Sequence, residues 1–318
     1  MLRVGDPQDL AVIIPTRDRW HILARTLEAL TSQTVSGFEV IVVVDGTDQS
    51  PPDLSPARVL VKEHGGPGAA RNHAAKQSER PLVLFLGDDM IPAPDLVERH
   101  LRWHSAEPQR EVGVLGLARW HPDVARGMLH RWLDWSGMQF DYNTIRDGNA
   151  GWPRFYSCNV SLKREFFLDA GGFDEAFVYY YEDLDAGYRL GELGLVLHYD
   201  PEAVTWHLHR YAWESIERRF VGVARGEHMM ATKHEWFEPW YHVRMEGAAG
   251  QRRVVFPWQR LVPLLPKSSV RAQLERRATR GYLQRLAPAF LSSWEAADRE
   301  APVGTRASVQ PSSGGSSA

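Results

Sequence analysis

Short apolar runs alternate with amphipathic segments along the first hundred residues. The runs predict four strands, at Leu10–Pro15, Phe38–Val44, Arg58–Val61 and Pro81–Leu86. Between them the pattern predicts two helices, over Arg19–Gln33 and Gly68–Gln77, and Asp18 is expected to cap the first. Strands that alternate with helices indicate an α/β fold with a parallel sheet and right-handed crossovers. Ligands of such sheets bind at the carboxyl ends of the strands.

The pattern becomes less regular after residue 110. Further strands are predicted at Glu111–Arg119, Phe155–Leu162, Leu195–His198 and Ala203–His207, and helices at Asp183–Leu193 and Trp213–His234. The stretch 120–152 is rich in Trp, Gly and Asp and is expected to be a loop that covers a site. Ser269–Phe290 is amphipathic, with an apolar stripe of Val270, Leu274, Ala278, Tyr282 and Leu286. The tail, residues 301–318, is small and polar and is expected to be disordered.

Composition excludes several classes of protein. The chain has 318 residues, 43% hydrophobic and 24% charged, so it can bury a substantial core and is neither disordered nor collagen-like. Its single cysteine, Cys158, excludes an intrachain disulfide, argues against a structural zinc site and fits a reducing compartment. The apolar runs are far shorter than a membrane span, and the first ten residues lack the apolar region of a signal peptide. We therefore expect a cytoplasmic protein.

Charge is unevenly distributed along the chain. Residues 1–209 contain 20 Lys and Arg against 30 Asp and Glu, whereas residues 210–300 contain 16 against 10. An acidic N-terminal two-thirds argues against nucleic acid as a partner. The basic remainder leaves an anionic surface or an acidic substrate open.

Polar clusters follow three of the predicted strands. They are Pro15, Thr16, Arg17 and Asp18 after the first strand, Asp45, Gly46, Thr47 and Asp48 after the second, and Gly87, Asp88 and Asp89 after the fourth. One such cluster is ordinarily a polar loop at a strand end. Three clusters at equivalent positions of one sheet indicate a ligand site.

Asp88 and Asp89 are candidate ligands for a cation. Adjacent carboxylates at a strand end suit a hard divalent cation that bridges to phosphate oxygens, although the same pair also occurs in solvated turns. His207, at the end of a later strand, is a candidate further ligand, more natural for Mn²⁺ than for Mg²⁺. His209 shares its face at strand spacing and is the rival ligand.

Glu182 and Asp183 follow an aromatic run and open a predicted helix. They are either first-turn charges stabilised by the helix dipole or a general base whose pKa is set by aromatic surroundings. The loop Gly65–Gly68, together with Arg71, is predicted to wrap a phosphate through backbone N–H groups and one guanidinium. It is not a dinucleotide fingerprint, because that loop would follow the first strand.

The succession VIIPTRDR, VVVDGTDQS, GGPGAARN and LFLGDDMIP resembles the nucleotide-sugar-binding half of family 2 glycosyltransferases of the GT-A fold. The later segment CNVSLKREFFLDAGGFDEAFVYYYEDLDAGYRL resembles the acceptor side of the same family. The resemblance implies a GT-A (Rossmann-like) domain over residues 1–210, a mostly parallel sheet flanked by helices. Its nucleotide-sugar half would be about 1–119 and its acceptor half about 120–210, and residues 211–300 would form a helical, basic extension.

The resemblance also implies roles for individual residues. The residues expected at the nucleotide-sugar donor are Pro15, Thr16, Arg17, Asp45, Gly68, Arg71 and Asp88. Asp45 would contact the base, as in members that use uridine donors. Asp89 would hold the divalent cation, Mn²⁺ or Mg²⁺, with His207 as an added ligand. Asp183 would be the catalytic base, and Glu182 an acceptor or orienting contact.

The implied reaction is a single inverting displacement by a hydroxyl group of the acceptor. That acceptor would be a carbohydrate or a lipid-linked molecule, such as a glycan, a glycolipid, or a cell-envelope or secondary-metabolite precursor. One position departs from the family pattern. The first acid of the family's Asp-x-Asp is Gly87 here, so a ribose or metal contact made there in other members is missing.

Two alternative functions stay open. A degenerate domain would bind nucleotide sugar or carbohydrate without turnover, which Gly87 favours and the retained Asp89 and Asp183 oppose. A sugar-1-phosphate nucleotidyltransferase would carry a glycine-rich loop directly after the first strand, and this chain has Pro15, Thr16 and Arg17 there.

Aromatic and basic residues outside these motifs have two interpretations each. Arg271, Arg276, Arg277, Arg280 and Arg285, with Trp240, Trp258 and Trp294, fit peripheral contact of residues 211–300 with the inner face of an anionic membrane. The alternative is a helix packed on the catalytic domain with its Arg side chains in water. Trp120, Trp132, Trp135 and Trp152 are candidates for stacking on an acceptor sugar, or are core aromatics.

Overall fold

A computed structural model describes residues 5–47, 50–125, 127–252, 262 and 265–301. Asp48, Trp258 and the predicted disordered tail beyond Ala301 lie outside the described residues. The described strands are β1 (Leu10–Thr16), β2 (Glu39–Asp45), β3 (Arg58–Lys62), β4 (Leu82–Leu86), β5 (Met90–Pro92), β6 (Val112–Trp120), β7 (Asn159–Lys163) and β8 (Val196–His207). The described α-helices are α1 (Trp20–Thr31), α2 (Gly66–Gln77), α3 (Leu96–Ala106), α4 (Pro122–Ala125), α5 (Met128–Ser136), α6 (Arg164–Asp169), α7 (Glu182–Glu192), α8 (Trp213–Lys233), α9 (Trp240–Ala249) and α10 (Ser269–Glu300).

All eight strands belong to one sheet of order β3-β2-β1-β4-β7-β6-β8-β5. The first four in that order are parallel, as predicted. β7 enters antiparallel between β4 and β6, β8 is parallel to β6, and β5 is antiparallel to β8, so the complete sheet is mixed. Every residue of β1 is buried, because its alternate side chains pack into two separate apolar clusters on the two faces of the sheet.

Several sequence predictions are corrected by the structure. Asp18 does not cap α1: its backbone φ is +52°, and its carboxylate accepts a hydrogen bond from the Thr47 hydroxyl. The stretch 120–152 is partly helical, since α5 buries Leu129, Trp132 and Leu133 on one face. The predicted strands at 195–198 and 203–207 are a single strand, β8, and the strand predicted over 155–162 begins only at Asn159.

The chain divides into two compact units. The first comprises residues 1–178 and 182–210 and contains the whole sheet. The second comprises Tyr179–Tyr181 and the described residues from 211 onward, and in it α10 packs against both α8 and α9. The Ser293 hydroxyl donates to the Val221 carbonyl at 2.9 Å, and the ring of Trp213 stacks on Tyr282.

Helix α10 differs in length and burial from the amphipathic helix predicted from the sequence. Helix α10 runs ten residues past the predicted end, to Glu300, and the apolar stripe is buried at Ala278, Tyr282 and Leu286. Trp294 is buried as well, so it is not available to a membrane surface as expected. Val270, at the start of the stripe, is 61% exposed. Among the described residues no helix combines the length and the apolarity needed to cross a membrane. Peripheral contact of this region stays a prediction.

Candidate active site

The short strand β5 brings Asp89 to the end of β8. Asp88 and Asp89 form the turn between β4 and β5, and β5 pairs with β8 so that Met90 lies opposite His207. The backbone N–H of Leu208 donates to the Asp89 carbonyl at 2.8 Å. Residues far apart in the sequence therefore meet at the carboxyl edge of the sheet.

Asp89, His207 and His209 form a cluster that fits a metal ion. Asp89 Oδ2 lies 3.3 Å from His207 Nε2 and 3.4 Å from His209 Nδ1, and the three candidate ligand atoms all lie within 4.8 Å of one another. Trp120 stacks on the His207 ring at a centroid separation of 4.8 Å, which restricts the orientation of the imidazole. One carboxylate and two imidazoles suit Mn²⁺ better than Mg²⁺. His209 faces the same carboxylate oxygen as His207, so both histidines are available as ligands.

Arg19, which the sequence reasoning passes over, pairs with both acids of the turn. Its Nη1 lies 3.0 Å from Asp88 Oδ1, and its Nη2 lies 2.6 Å from Asp89 Oδ2. Burial and the charge of Asp89 raise the pKa of Asp88 to about 7. Burial also raises the pKa of Asp89, but His207, His209 and Arg19 outweigh that effect and hold this pKa well below its usual range. The sequence signal for Arg19 is its position at the same strand end as Thr16 and Arg17.

The space beside Gly87 is narrow. A Cβ placed on Gly87 would lie 3.1 Å from Met90 Cγ and 3.2 Å from Asp89 Oδ1, so a side chain there would crowd the candidate metal ligand. Asp88 is tied into the sheet instead. The Thr16 hydroxyl donates to Asp88 Oδ2 at 2.8 Å, and the Thr26 hydroxyl donates to the Asp88 carbonyl at 2.7 Å.

Asp45, at the end of β2, is surrounded by hydrogen-bond donors. Its Oδ1 accepts from Lys62 Nζ at 3.1 Å and from the Gly65 N–H at 2.9 Å. Its Oδ2 lies 2.8 Å from His64 Nδ1 and accepts from the Gly66 N–H at 2.9 Å. Burial raises the pKa of Asp45, but the hydrogen bonds from Gly65, Lys62 and His64 together lower it by more, so the net pKa lies below the usual value. Asp45 therefore shapes the loop that enters α2.

The glycines of that loop serve close packing. The predicted phosphate wrap is not what Gly65 and Gly66 form, because their N–H groups donate to Asp45. Gly66 has a φ of +89°, and a Cβ there would lie 2.2 Å from the Val178 carbonyl oxygen. A Cβ on Gly68 would lie 3.0 Å from Phe173 Cβ and 3.4 Å from Glu182 Cγ. The start of α2 thus packs tightly against the chain that leads into α7.

Arg71 projects from α2 toward the acid pair at the start of α7. Its Nη1 lies 3.7 Å from Glu182 Oε1, and its guanidinium lies 5.6 Å from the centre of the Phe173 ring. Arg71 Nε and Nη1 are buried and make no hydrogen bond to the described residues. Burial lowers the pKa of this guanidinium, against the charges of Glu182 and Asp183. Arg71 is therefore a buried cation with donors to spare.

Glu182 and Asp183 are the first two residues of α7, and both resist ionisation. Burial and the neighbouring Asp183 raise the pKa of Glu182 to about 7. Burial raises the pKa of Asp183, and Arg71 opposes that rise. Because the charge of Arg71 also lowers the pKa of Asp88, one guanidinium acts on both acid clusters. The charge of Arg71 therefore lowers the pKa of one acid in each of the two clusters.

Other predicted site residues occupy different surroundings. Pro15 is buried within β1, and exposed Arg17 places its Nη1 3.0 Å from His64 Nε2, at the edge of the Asp45 cluster. Trp132 is fully buried, so it is not a platform for a sugar. Trp120 and His207 line a cavity of about 490 Å³ together with Arg119, Asp134, Gln139 and Tyr142. That cavity therefore borders the candidate metal cluster.

Comparison with known proteins identifies a family. Residues 11–169 match the model of the family described as Glycosyl transferase family 2. The chain is similar to a validoxylamine A glucosyltransferase of Streptomyces hygroscopicus subsp. jinggangensis, 28% identical over 228 residues that make up 58% of this chain and 52% of the relative. It is also similar to a pre-mycofactocin glycosyltransferase of Mycobacterium tuberculosis, 30% identical over 214 residues that make up 64% of this chain and 43% of the relative. The chain thus spans about half the length of these curated relatives.

Solved structures share the fold at low sequence identity. The mannosyltransferase PcManGT of Pyrobaculum calidifontis, solved with GDP-Man and Mn²⁺, superposes with a TM-score of 0.50 at 17% identity, over 93% of this chain and 76% of the neighbour. GalNAc-T7, solved with UDP, GalNAc and Mn²⁺, superposes with a TM-score of 0.53 at 14% identity, over 93% of this chain and 57% of the neighbour. These neighbours are GT-A glycosyltransferases, so the fold predicted from the sequence is confirmed.

Proposed function

The chain belongs to glycosyltransferase family 2, and from that premise we propose that it transfers a sugar from a nucleoside-diphosphate donor to a hydroxyl group of an acceptor. The observation that carries the proposal is that the first unit contains two buried acid clusters: one meets two histidines in a candidate metal site, and the other lies 3.7 Å from the guanidinium of Arg71. Asp88 and Asp89 provide the first cluster, and Glu182 and Asp183 the second. Transfer from a nucleoside diphosphate needs charge stabilisation of the leaving group beside a general base, which is what the two clusters offer.

We assign donor binding to the residues predicted from the sequence: Pro15, Thr16, Arg17, Asp45, Gly68, Arg71 and Asp88. The expected donor nucleoside is uridine, with uracil as the base. Each carboxylate oxygen of Asp45 already lies near two donor groups, so contact with a base requires Lys62 or His64 to give way. The spare donors of Arg71 suit the diphosphate or the sugar.

Asp89, His207 and His209 would hold a divalent cation, with Mn²⁺ preferred over Mg²⁺. When bound, such an ion supplies positive charge against the diphosphate. The two structural neighbours were both solved with Mn²⁺ and a nucleotide or nucleotide sugar, which supports this assignment.

Asp183 is proposed as the general base. Its carboxylate accepts the proton of the acceptor hydroxyl while that oxygen forms a bond to the anomeric carbon of the donor. The bond from the anomeric carbon to the diphosphate oxygen breaks, and the nucleoside diphosphate leaves with the electron pair. Attack from the side opposite the leaving group inverts the configuration. The raised pKa of Asp183 increases its affinity for the proton.

The cavity beside His207 is the proposed place for part of the acceptor. Its lining combines aromatic rings, such as Trp120 and Tyr142, with polar groups, such as Asp134 and Gln139. This mixture suits a polyhydroxylated molecule, because rings pack on the apolar side of a sugar and polar groups bond its hydroxyls. The acceptor class remains a glycan, a glycolipid, or a cell-envelope or secondary-metabolite precursor.

A thermal-shift panel of UDP, GDP, dTDP and CDP, each with and without Mn²⁺, tests the donor assignment. A ligand at a hundred times its dissociation constant stabilises a protein by roughly 2.7 kcal/mol, which is readily measured. We expect a Mn²⁺-dependent shift with UDP that the Asp89→Ala variant loses. A shift with another nucleotide would replace uridine, and an unchanged shift in Asp89→Ala would contradict the metal assignment.

Product analysis separates the proposed activity from its alternatives. A glycosyltransferase releases nucleoside diphosphate from a nucleotide sugar. A sugar-1-phosphate nucleotidyltransferase, supplied with a nucleoside triphosphate and a sugar phosphate, would release pyrophosphate instead. A binding domain without turnover would release neither and would show only the thermal shift.

A further inference from the structure

Two of the three residues before the acid pair have an unusual backbone. Tyr180 and Tyr181 have φ values of +60° and +69°, in the left-handed region that non-glycine side chains rarely occupy. Tyr179–Tyr181 group with the second unit, whereas Glu182 begins α7 in the first. Strained backbone persists only where surrounding contacts hold it, and such contacts are present in the second unit.

Glu227 of α8 supplies one of these contacts. Its carboxylate is fully buried, and Oε1 accepts hydrogen bonds from the Tyr181 hydroxyl at 2.9 Å and from the Tyr241 N–H at 2.7 Å. Oε2 accepts from the His242 N–H at 2.8 Å. One carboxylate therefore joins the side chain of Tyr181 to the first turn of α9, where the helix dipole favours a negative charge.

The adjacent surface of α8 is shaped to receive Tyr180. A Cβ on Gly222 would lie 2.8 Å from the ring atom Cε2 of Tyr180, and a Cβ on Gly226 would lie 2.9 Å from the Tyr180 carbonyl oxygen. The guanidinium of Arg219 lies 5.3 Å from the centre of the Tyr180 ring. Two glycines one helical turn apart thus allow the tripeptide to lie directly on the helix.

We propose that Glu227 is a positioning residue for sugar transfer: by holding Tyr181 it fixes the left-handed backbone from which Glu182 and Asp183 start. The inference rests on the proposed function, because Asp183 must be the base for its orientation to matter. Tyr181 is bonded directly to Glu182, the first residue of α7, so its backbone angles define where the helix that carries both acids begins. The proposed donor-binding residues lie on β1, β2, α2 and the turns after β1 and β4, outside the tripeptide, so nucleotide affinity reports whether a substitution acts beyond the acid pair.

The test compares Tyr181→Phe and Glu227→Gln with the wild-type protein in initial-rate kinetics. UDP-glucose and GDP-mannose are the first donor probes, with water as the acceptor and release of nucleoside diphosphate as the measured rate. Calorimetry measures UDP and GDP binding. We expect kcat to fall about 10- to 100-fold in both variants, because small misplacements of a reacting group cause losses of this size. The KM for the donor and the nucleotide Kd should stay within twofold. Tyr188→Phe, on α7, and Glu217→Gln, on α8, are matched controls expected to keep wild-type rates.

The outcomes distinguish this inference from the function on which it rests. Wild-type kcat in both folded variants overturns the positioning role alone. A parallel loss of kcat and of nucleotide affinity also overturns it, since that pattern indicates general loosening. If Glu227→Gln does not fold, Tyr181→Phe decides, because it removes only one hydroxyl. Absence of turnover by the wild-type protein with every nucleotide sugar would overturn the proposed function and this inference together.

Discussion

Two carboxylate sites of the first unit differ in how far their negative charge is compensated by neighbouring donors and cations. Asp45 lies within hydrogen-bonding distance of four donor groups, and its pKa lies below the usual value. Glu182 and Asp183 lie side by side on α7, the Arg71 guanidinium is 3.7 Å from Glu182, and the pKa of each acid is raised. The charge of Asp45 is compensated by its hydrogen-bond donors, whereas the charges of Glu182 and Asp183 are only partly compensated by Arg71.

The difference separates structural from chemical roles. A buried carboxylate whose acceptor sites are filled stabilises the loop that it bonds, and it can contact a substrate only when one of its present donors gives way. Two neighbouring carboxylates with raised pKa values destabilise the protein somewhat, and such arrangements concentrate where proton transfer occurs. Substitutions in the two clusters should therefore have opposite signatures, one on stability and the other on rate.

The largest effect is expected for Asp183→Asn. Removing the proposed base should lower kcat about 10³-fold, whereas donor affinity should stay within twofold, because the amide keeps the shape but does not accept the proton. Initial rates and calorimetry of nucleotide binding measure the two quantities. Asp169→Asn, an exposed carboxylate of the same unit, is the control. Equal losses of rate and of donor affinity would remove Asp183 from the catalytic role.

Asp45→Asn should act chiefly on stability. Replacing one acceptor oxygen by an amide leaves buried donors without a partner, so the free energy of unfolding should fall by roughly 2 kcal/mol. Because the folded pKa of Asp45 is depressed, its stabilisation is present above its unfolded pKa and is lost as pH falls through the folded value. Urea unfolding at neutral and acidic pH measures both effects, and the variant should lack this acid-dependent part.

A different result would change the role of Asp45. Unaltered stability with markedly weaker UDP binding would mean that the main role of the carboxylate is contact with the nucleotide base and not stabilisation of the loop before α2. Unaltered stability and binding together would contradict both roles.

Much of this site can be predicted from local sequence patterns. The apolar runs of β1, β2 and β4 are each followed by polar residues. In a parallel sheet these positions lie at the carboxyl edge of the strands, where ligands bind. The pairing of Asp89 with His207 depends on the register between β5 and β8, which no local pattern encodes. Arg19 was missed for a related reason: its partners are tertiary, and the local pattern favoured Asp18 as a helix cap.

Two further errors have separate causes. The composition of 120–152 indicated a loop, but burial of Trp132 and its neighbours stabilises α5, and tertiary packing outweighs composition. The glycines before α2 looked like a phosphate loop because anion binding and close packing both require glycine. The contact with the Val178 carbonyl, which decides between them, comes from a distant part of the chain.

Glu182→Gln sharpens the contrast through pH dependence. The charge of Asp183 raises the pKa of Glu182. Because the interaction between two charges is reciprocal, an ionised Glu182 opposes the ionisation of Asp183, and its removal should lower the pKa of the base. Since transfer requires ionised Asp183, the acid limb of the kcat/KM profile should move to lower pH by about one unit. Glu192→Gln, at the far end of α7, should leave the limb in place. A shift to higher pH in Glu182→Gln would contradict the assignment of Asp183 as base.

The smallest effect is expected for Arg19→Gln, which tests how the charges of Asp88 and Asp89 are compensated. Arg19 neutralises Asp88 and Asp89, and a cation held by Asp89 must compete with that guanidinium. A partly exposed ion pair contributes up to about 1 kcal/mol, so Mn²⁺ binding measured by calorimetry should tighten roughly threefold. Arg25→Gln, on α1, which alters an exposed pair with Asp123, should leave Mn²⁺ binding unchanged. Weaker Mn²⁺ binding in Arg19→Gln would show that the guanidinium organises the ligands rather than competing for them. The charges of Asp88 and Asp89 would then be compensated by the protein, as that of Asp45 is, and not left incompletely compensated, as those of Glu182 and Asp183 are.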